Sequence, residues 1–218
     1  MVSAGLDDPV SAGGFGLTDA TINFNTQFSF DFDNSDGVGA ALVDFETVAA
    51  HEIGHALDFV SVVDTIDFLI PPPVNQPPVN VQVRPMDLFR FQNNVAGQDP
   101  ATTAEFTNNP RFLVPGGDAI FDSLGSELRL STGRFFGDGR QASHFKDNDL
   151  SGVLIGIMDP TLANGTAITL SDDDILIFDL IGYDTVIPEP SSLVLLGMGS
   201  LGLIGYRWRK KKLQAMAA

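Results

Sequence analysis

The sequence predicts an α+β domain over residues 1–185, followed by one C-terminal membrane helix over residues 191–208. Three observations carry this expectation. Short stretches such as residues 21–32 alternate apolar and polar side chains, the period of a half-buried strand. Two other stretches repeat apolar residues at helical spacing behind an acidic cap. Residues 190–206 carry no charge and run directly into a basic cluster.

In chain order, residues 1–20 are rich in Gly, Ser, Ala and Asp and read as loop. Residues 21–32, with Ile22, Phe24, Phe28, Phe30 and Phe32, read as a strand ended by Asp31-Phe32-Asp33-Asn34-Ser35-Asp36-Gly37. Asp44 can cap the next helix, and Glu46 in its first turn suits the positive end of the helix. Ala49, Ile53, Ala56, Leu57 and Val60 give that helix a core face, with His51 and His55 on another. Residues 71–85 hold six prolines and read as an extended surface insertion. Residues 86–91 and 127–131 look like short strands, with a Gly-rich turn at Phe136-Gly137-Asp138-Gly139-Arg140. A last helix with Ile175, Ile177, Phe178, Leu180 and Ile181 follows the cap Ser171-Asp172-Asp173-Asp174. Asp172-Asp173-Asp174 reads as that cap rather than an ion site.

The tail is separate. Residues 186–190, Val-Ile-Pro-Glu-Pro, form a linker that breaks regular structure. Residues 191–208 as a helix would span about 27 Å, close to the ~30 Å hydrocarbon thickness. Residues 209–218 then form a basic tail that stays on the cytoplasmic side.

Charge excludes one class of partner. Five of the 12 basic residues lie at 207–212, leaving 7 basic against 28 acidic side chains over residues 1–206, a formal charge of −21. Such a body is repelled by phosphate backbones, so no nucleic-acid partner is expected. There are no cysteines, which removes disulfides, thiolate metal sites and cysteine nucleophiles together.

The segment His51-Glu52-Ile53-Gly54-His55 bears the chemistry. Two imidazoles at i and i+4 on a helix can reach one ion, and zinc is the ion this pattern suits. Glu52 stands beside the open coordination position, where it can take a proton from metal-bound water and pass it to a leaving amine. A catalytic zinc needs a third protein ligand, and three positions compete. Ser61 has the short spacing but offers a poor ligand. Asp64 is in reach only if the helix breaks soon after His55. That break usually needs Gly where Asp58 stands, and the apolar run to Ile70 would let the helix continue. His144, the only other histidine in the chain, is preferred.

On these residues a resemblance becomes specific. Val48-Ala49-Ala50-His51-Glu52-Ile53-Gly54-His55-Ala56-Leu57 resembles the zinc helix of the metzincin clan of metallopeptidases. Gln141-Ala142-Ser143-His144-Phe145-Lys146 is similar to the distant Ser-His-Trp segment of leishmanolysin-like members, with Phe145 in place of Trp. Gly156-Ile157-Met158-Asp159-Pro160 resembles the clan's Met-turn, and residues 171–184 its closing helix. The resemblance implies a metzincin-like zinc peptidase domain with His51, His55 and His144 as ligands. It makes Glu52 the general base and Met158 the apolar floor beneath the metal. An exported zinc endopeptidase acting on a protein or peptide substrate is therefore expected. The alternative is an inactive surface binding or matrix protein that keeps the fold.

The tail resembles the PEP-CTERM sorting signal of Gram-negative bacteria: Pro188-Glu189-Pro190, a membrane segment, then a basic cluster. That implies export, a membrane anchor, and cleavage by an exosortase near Pro-Glu-Pro. The body would lie at the cell surface, or outside the cell once processed. Residues 1–8 hold no export signal, so the chain is expected to be an N-terminally incomplete product of its gene, with a leader and further strands encoded upstream. Calcium, a hard cation, is a further candidate at Asp31, Asp33, Asn34 and Asp36. The spacing misses the EF-hand pattern because Gly37 falls one residue late, and a solvated turn is the favoured reading.

Overall fold

Helix α1 (Phe45–Ala56) begins where the sequence places it. The Asp44 carboxylate accepts the Thr47 N–H at 2.9 Å and the Thr47 hydroxyl at 2.6 Å, which satisfies a free donor of the first turn. The computed structural model describes residues 20–69 and 81–183. The chain divides into Met1–Asp184 and Thr185–Ala218, and the second unit lies outside the described residues.

The end of α1 corrects the expectation of a helix running on toward Ile70. The helix stops at Ala56, and Asp58 takes the left-handed conformation itself, at φ 71°. Asp tolerates that region better than most residues with a Cβ. The reversal lets Phe59 enter the core at 0% exposure, and a second helix, α2 (Val63–Leu69), follows. Burial of one large ring outweighs continued helix propensity here.

The buried face of α1 also differs from the expected one. Ile53 is 49% exposed and Ala56 is exposed, while Thr47 and Gly54 are buried. Gly54 decides this. A Cβ built there would lie 2.5 Å from Met158 Sδ and 3.3 Å from Phe178 Cζ, so the absent side chain lets the helix sit on both. Gly54→Ala is expected to lower stability by about 1–2 kcal/mol despite its better helix propensity, because overpacking outweighs propensity. A shift in the urea midpoint at unchanged slope checks this.

Residues 21–32 do not form the expected strand. Only β1 (Phe30–Asp31) is extended, pairing in parallel with β2 (Val43–Asp44). A turn closed by Phe28 N–H on the Asn25 carbonyl interrupts the segment. The alternating phenylalanines instead form an aromatic cluster around Phe45, with Phe24 and Phe32 rings 4.9 and 4.8 Å from it. A 3₁₀ turn (Asn34–Asp36) follows β1; Asp33 accepts the Ser35 N–H at its start, and Asp31, the last residue of β1, accepts the Asp33 and Gly39 N–H groups.

The main sheet is antiparallel, in the order β3 (Arg90–Gln92), β4 (Ala119–Asp122), β5 (Glu127–Leu130). The segment expected as a strand over 86–91 is in part a 3₁₀ turn, Pro85–Phe89, with Pro85 at its start. Of the Pro-rich insertion over 71–85, residues 71–80 lie outside the described residues. The central strand β4 is buried along its whole length and carries none of the alternation that marks a half-buried strand. Helix α3 (Thr103–Asn108) is a further short element of the β3–β4 connection. One core joins sheet to helices through Phe59, Met86, Phe121, Leu130, Phe145 and Met158.

After a single-turn helix α4 (Asn148–Ser151), the unit closes with α5 (Asp172–Ile181). Ser171 and Asp174 cap α5 reciprocally. The cap has a second use. Asp174 is fully buried, and its carboxylate also accepts the Ile157 N–H at 2.8 Å and the Met158 N–H at 3.4 Å. Among the described residues no helix is long and apolar enough to cross a membrane, and the segment 191–208 is not among them.

Candidate metal centre

The chain has three histidines, and the fold brings all three to one point. The Nε2 atoms of His51, His55 and His144 form a nearly equilateral triangle with sides of 3.1, 3.2 and 3.2 Å. Helix α1 presents the first two one turn apart, and the segment after β5 brings the third.

Each ring is oriented from behind by a backbone carbonyl. His51 Nδ1 meets the Ile157 oxygen at 2.8 Å, His55 Nδ1 the Phe59 oxygen at 2.9 Å, and His144 Nδ1 the Gln141 oxygen at 3.2 Å. A carbonyl only accepts, so each Nδ1 carries the proton and donates it. Three Nε2 lone pairs therefore converge, and they repel one another unless a cation lies between them. A proton does not serve at neutral pH. Burial, with His55 and His51 nearby, lowers the His144 pKa to about 3, and burial likewise lowers that of His55. Four-coordinate zinc with bonds of 2.0–2.1 Å sets its nitrogens about 3.3 Å apart, so this donor set fits such an ion.

The other two candidates for third ligand serve different ends. Ser61 is buried and donates its hydroxyl to Asp87 at 2.6 Å. Asp64 accepts the Ala142 N–H at 2.6 Å, the Ser143 N–H at 3.1 Å and the Ser143 hydroxyl. It thereby holds the strand of chain that ends in His144. The early helix break makes this possible by turning α2 toward that segment. Burial raises the Asp64 pKa, and the hydrogen bonds from Ser143 and Ala142 oppose the rise.

Several supporting residues escape sequence reasoning. Ser143 accepts the Ser61 N–H at 2.8 Å, joining the segment after α1 to the His144 segment. Arg90 is fully buried and donates to the Ser131 and Ala142 carbonyls at 2.8 and 3.3 Å, backing the same loop. Asp87 accepts from Ser61, Val62 and Arg84. A lone Arg or Asp carries no local signal of burial, so only Ser143, inside the Ser-His motif, could have been singled out.

Met158 is fully buried against Gly54, the residue just before His55, and its carbonyl accepts the Phe145 N–H at 3.1 Å. The turn holding Met158 thus orients His51 through Ile157 and anchors the residue after His144. Glu52 is half-buried and lines two depressions. One, of about 200 Å³, lies between α1 and the Ile157–Pro160–Ile168 wall. The other lies between His55 and residues 20–23.

A family model for the PEP-CTERM protein-sorting motif matches residues 186–211. No curated protein and no solved structure matches the chain. The motif implies export, a membrane-anchored sorting signal and processing by an exosortase-type enzyme, and with them a cell-surface location.

Proposed function

We propose that this chain is an exported zinc-dependent endopeptidase of metzincin-like build. His51, His55 and His144 would hold the metal, and Glu52 would act as general base. The convergence of three unprotonated Nε2 atoms beside Glu52 carries the reading. A zinc ion held there would supply Lewis acidity and make water a stronger nucleophile near neutral pH. The Ile157, Phe59 and Gln141 carbonyls keep the imidazoles in the tautomer that offers Nε2. Glu52, one residue after His51 on the cleft side, accepts a proton from the attacking water and returns it to the leaving amine. Glu52 lines two depressions, one shared with His51 and one with His55, where a substrate would approach it.

The test is metal analysis of the purified full chain in detergent, paired with cleavage of unfolded casein. A single zinc per chain and metal-dependent cleavage support the reading. Zinc without cleavage would favour a binding or matrix module, and no zinc would end the proposal. Asp64→Ala is expected to weaken zinc about 10–100-fold without abolishing binding, as loss of an outer-shell support does. Zinc competition with a chromogenic chelator measures it.

A further inference from the structure

The turn joining β4 to β5 carries a second group of acids, which the histidine centre does not use. Asp122 and Glu127 are Cα partners across the antiparallel pair, and like charges directly opposite destabilise such a hairpin. Asp99, from the β3–β4 connection, joins them, and one carboxylate oxygen from each lies within 4.8 Å of the others. Asp122 is 1% exposed. One of its oxygens accepts the Leu124 N–H at 2.6 Å, while Oδ2 is buried with no hydrogen-bond partner among the described residues. Burial above all, and then Asp99, push its carboxyl above the usual range against that hydrogen bond.

The basic side chains of the described region are engaged elsewhere. Arg84, Arg129, Arg140 and Lys146 pair with other acids. Arg90 and Arg111 donate to backbone carbonyls, and Arg134 lies over Phe135. A buried carboxylate with one partnerless oxygen, grouped with two further acids, calls for a cation that the described residues do not supply.

We propose that Asp99, Asp122 and Glu127 form a calcium-class cation site separate from the histidine centre. An all-oxygen donor set suits a hard divalent cation rather than zinc. The ion gives Asp122 Oδ2 its missing partner and turns cross-strand repulsion into attraction. It also ties the β3–β4 connection to the hairpin. With three carboxylates and a solvent-facing side, affinity falls on the order of 10⁻⁴–10⁻³ M, the range of extracellular calcium modules.

The experiment is thermal unfolding of the full chain as purified, in chelator-free buffer, with calcium chloride added. About 10 mM calcium is expected to raise Tm by about 5 °C, and magnesium much less. The double variant Asp122→Asn, Glu127→Gln should lose the calcium response. It should also show a higher Tm than the unsubstituted chain without calcium, because the repulsion is gone; a lost response is then not lost folding. No calcium shift, an equal magnesium shift, or a shift that survives in the double variant overturns the site.

Discussion

Glu52→Gln is expected to keep zinc content unchanged while lowering casein hydrolysis by about 10²–10⁴-fold, the usual contribution of a general base. The amide has the same shape but cannot accept the water's proton. Folding should be unaffected, since Glu52 is half-buried at a cleft edge and Gln has nearly the same helix propensity. Asp159 lines the same cleft but is a poor substitute base. Its carboxylate accepts from the Asn148 N–H and from the Thr161 N–H and hydroxyl. Metal loss in the Gln variant would make Glu52 a ligand, and undiminished activity would remove it from the mechanism.

His144→Ala is expected to weaken zinc by more than about 100-fold, beyond the effect of losing an outer-shell support. Two histidines on one helix remain, and a stable catalytic site needs three protein ligands. The contrast with Asp64→Ala is the sharper reading. Asp64 touches the backbone of Ala142 and Ser143, so its loss loosens His144 without deleting a donor. Unchanged affinity in His144→Ala with abolished binding in Asp64→Ala would reverse the two roles.

How much of this was legible beforehand varies with the range of the interaction. The caps at Asp44 and Ser171 were legible because a cap acts over three residues. The buried face of α1 was not, because Ile53 looks apolar in the sequence while the contact is made by Gly54. Strand β4 escaped notice because a strand buried on both faces has no alternation to read. The phenylalanines of residues 21–32 have the strand period, yet the Asn25–Phe28 turn spends them on an aromatic cluster.

What the sequence by itself determined is the local chemistry: the helical i, i+4 spacing of His51 and His55, Glu52 between them, and the PEP-CTERM tail matched at 186–211. The sequence preferred His144 among three candidates, and the tertiary structure is what carries it, 89 residues beyond His55, into the triangle. It also decided that Asp64, a ligand candidate in the sequence, and Asp174, read there as a helix cap, clamp the His144 and Met158 segments. The physical reason is that a carboxylate serves equally as ligand, cap or acceptor. Which one it becomes depends on the donors that distant chain brings within 3 Å or so, and no local pattern encodes that distance.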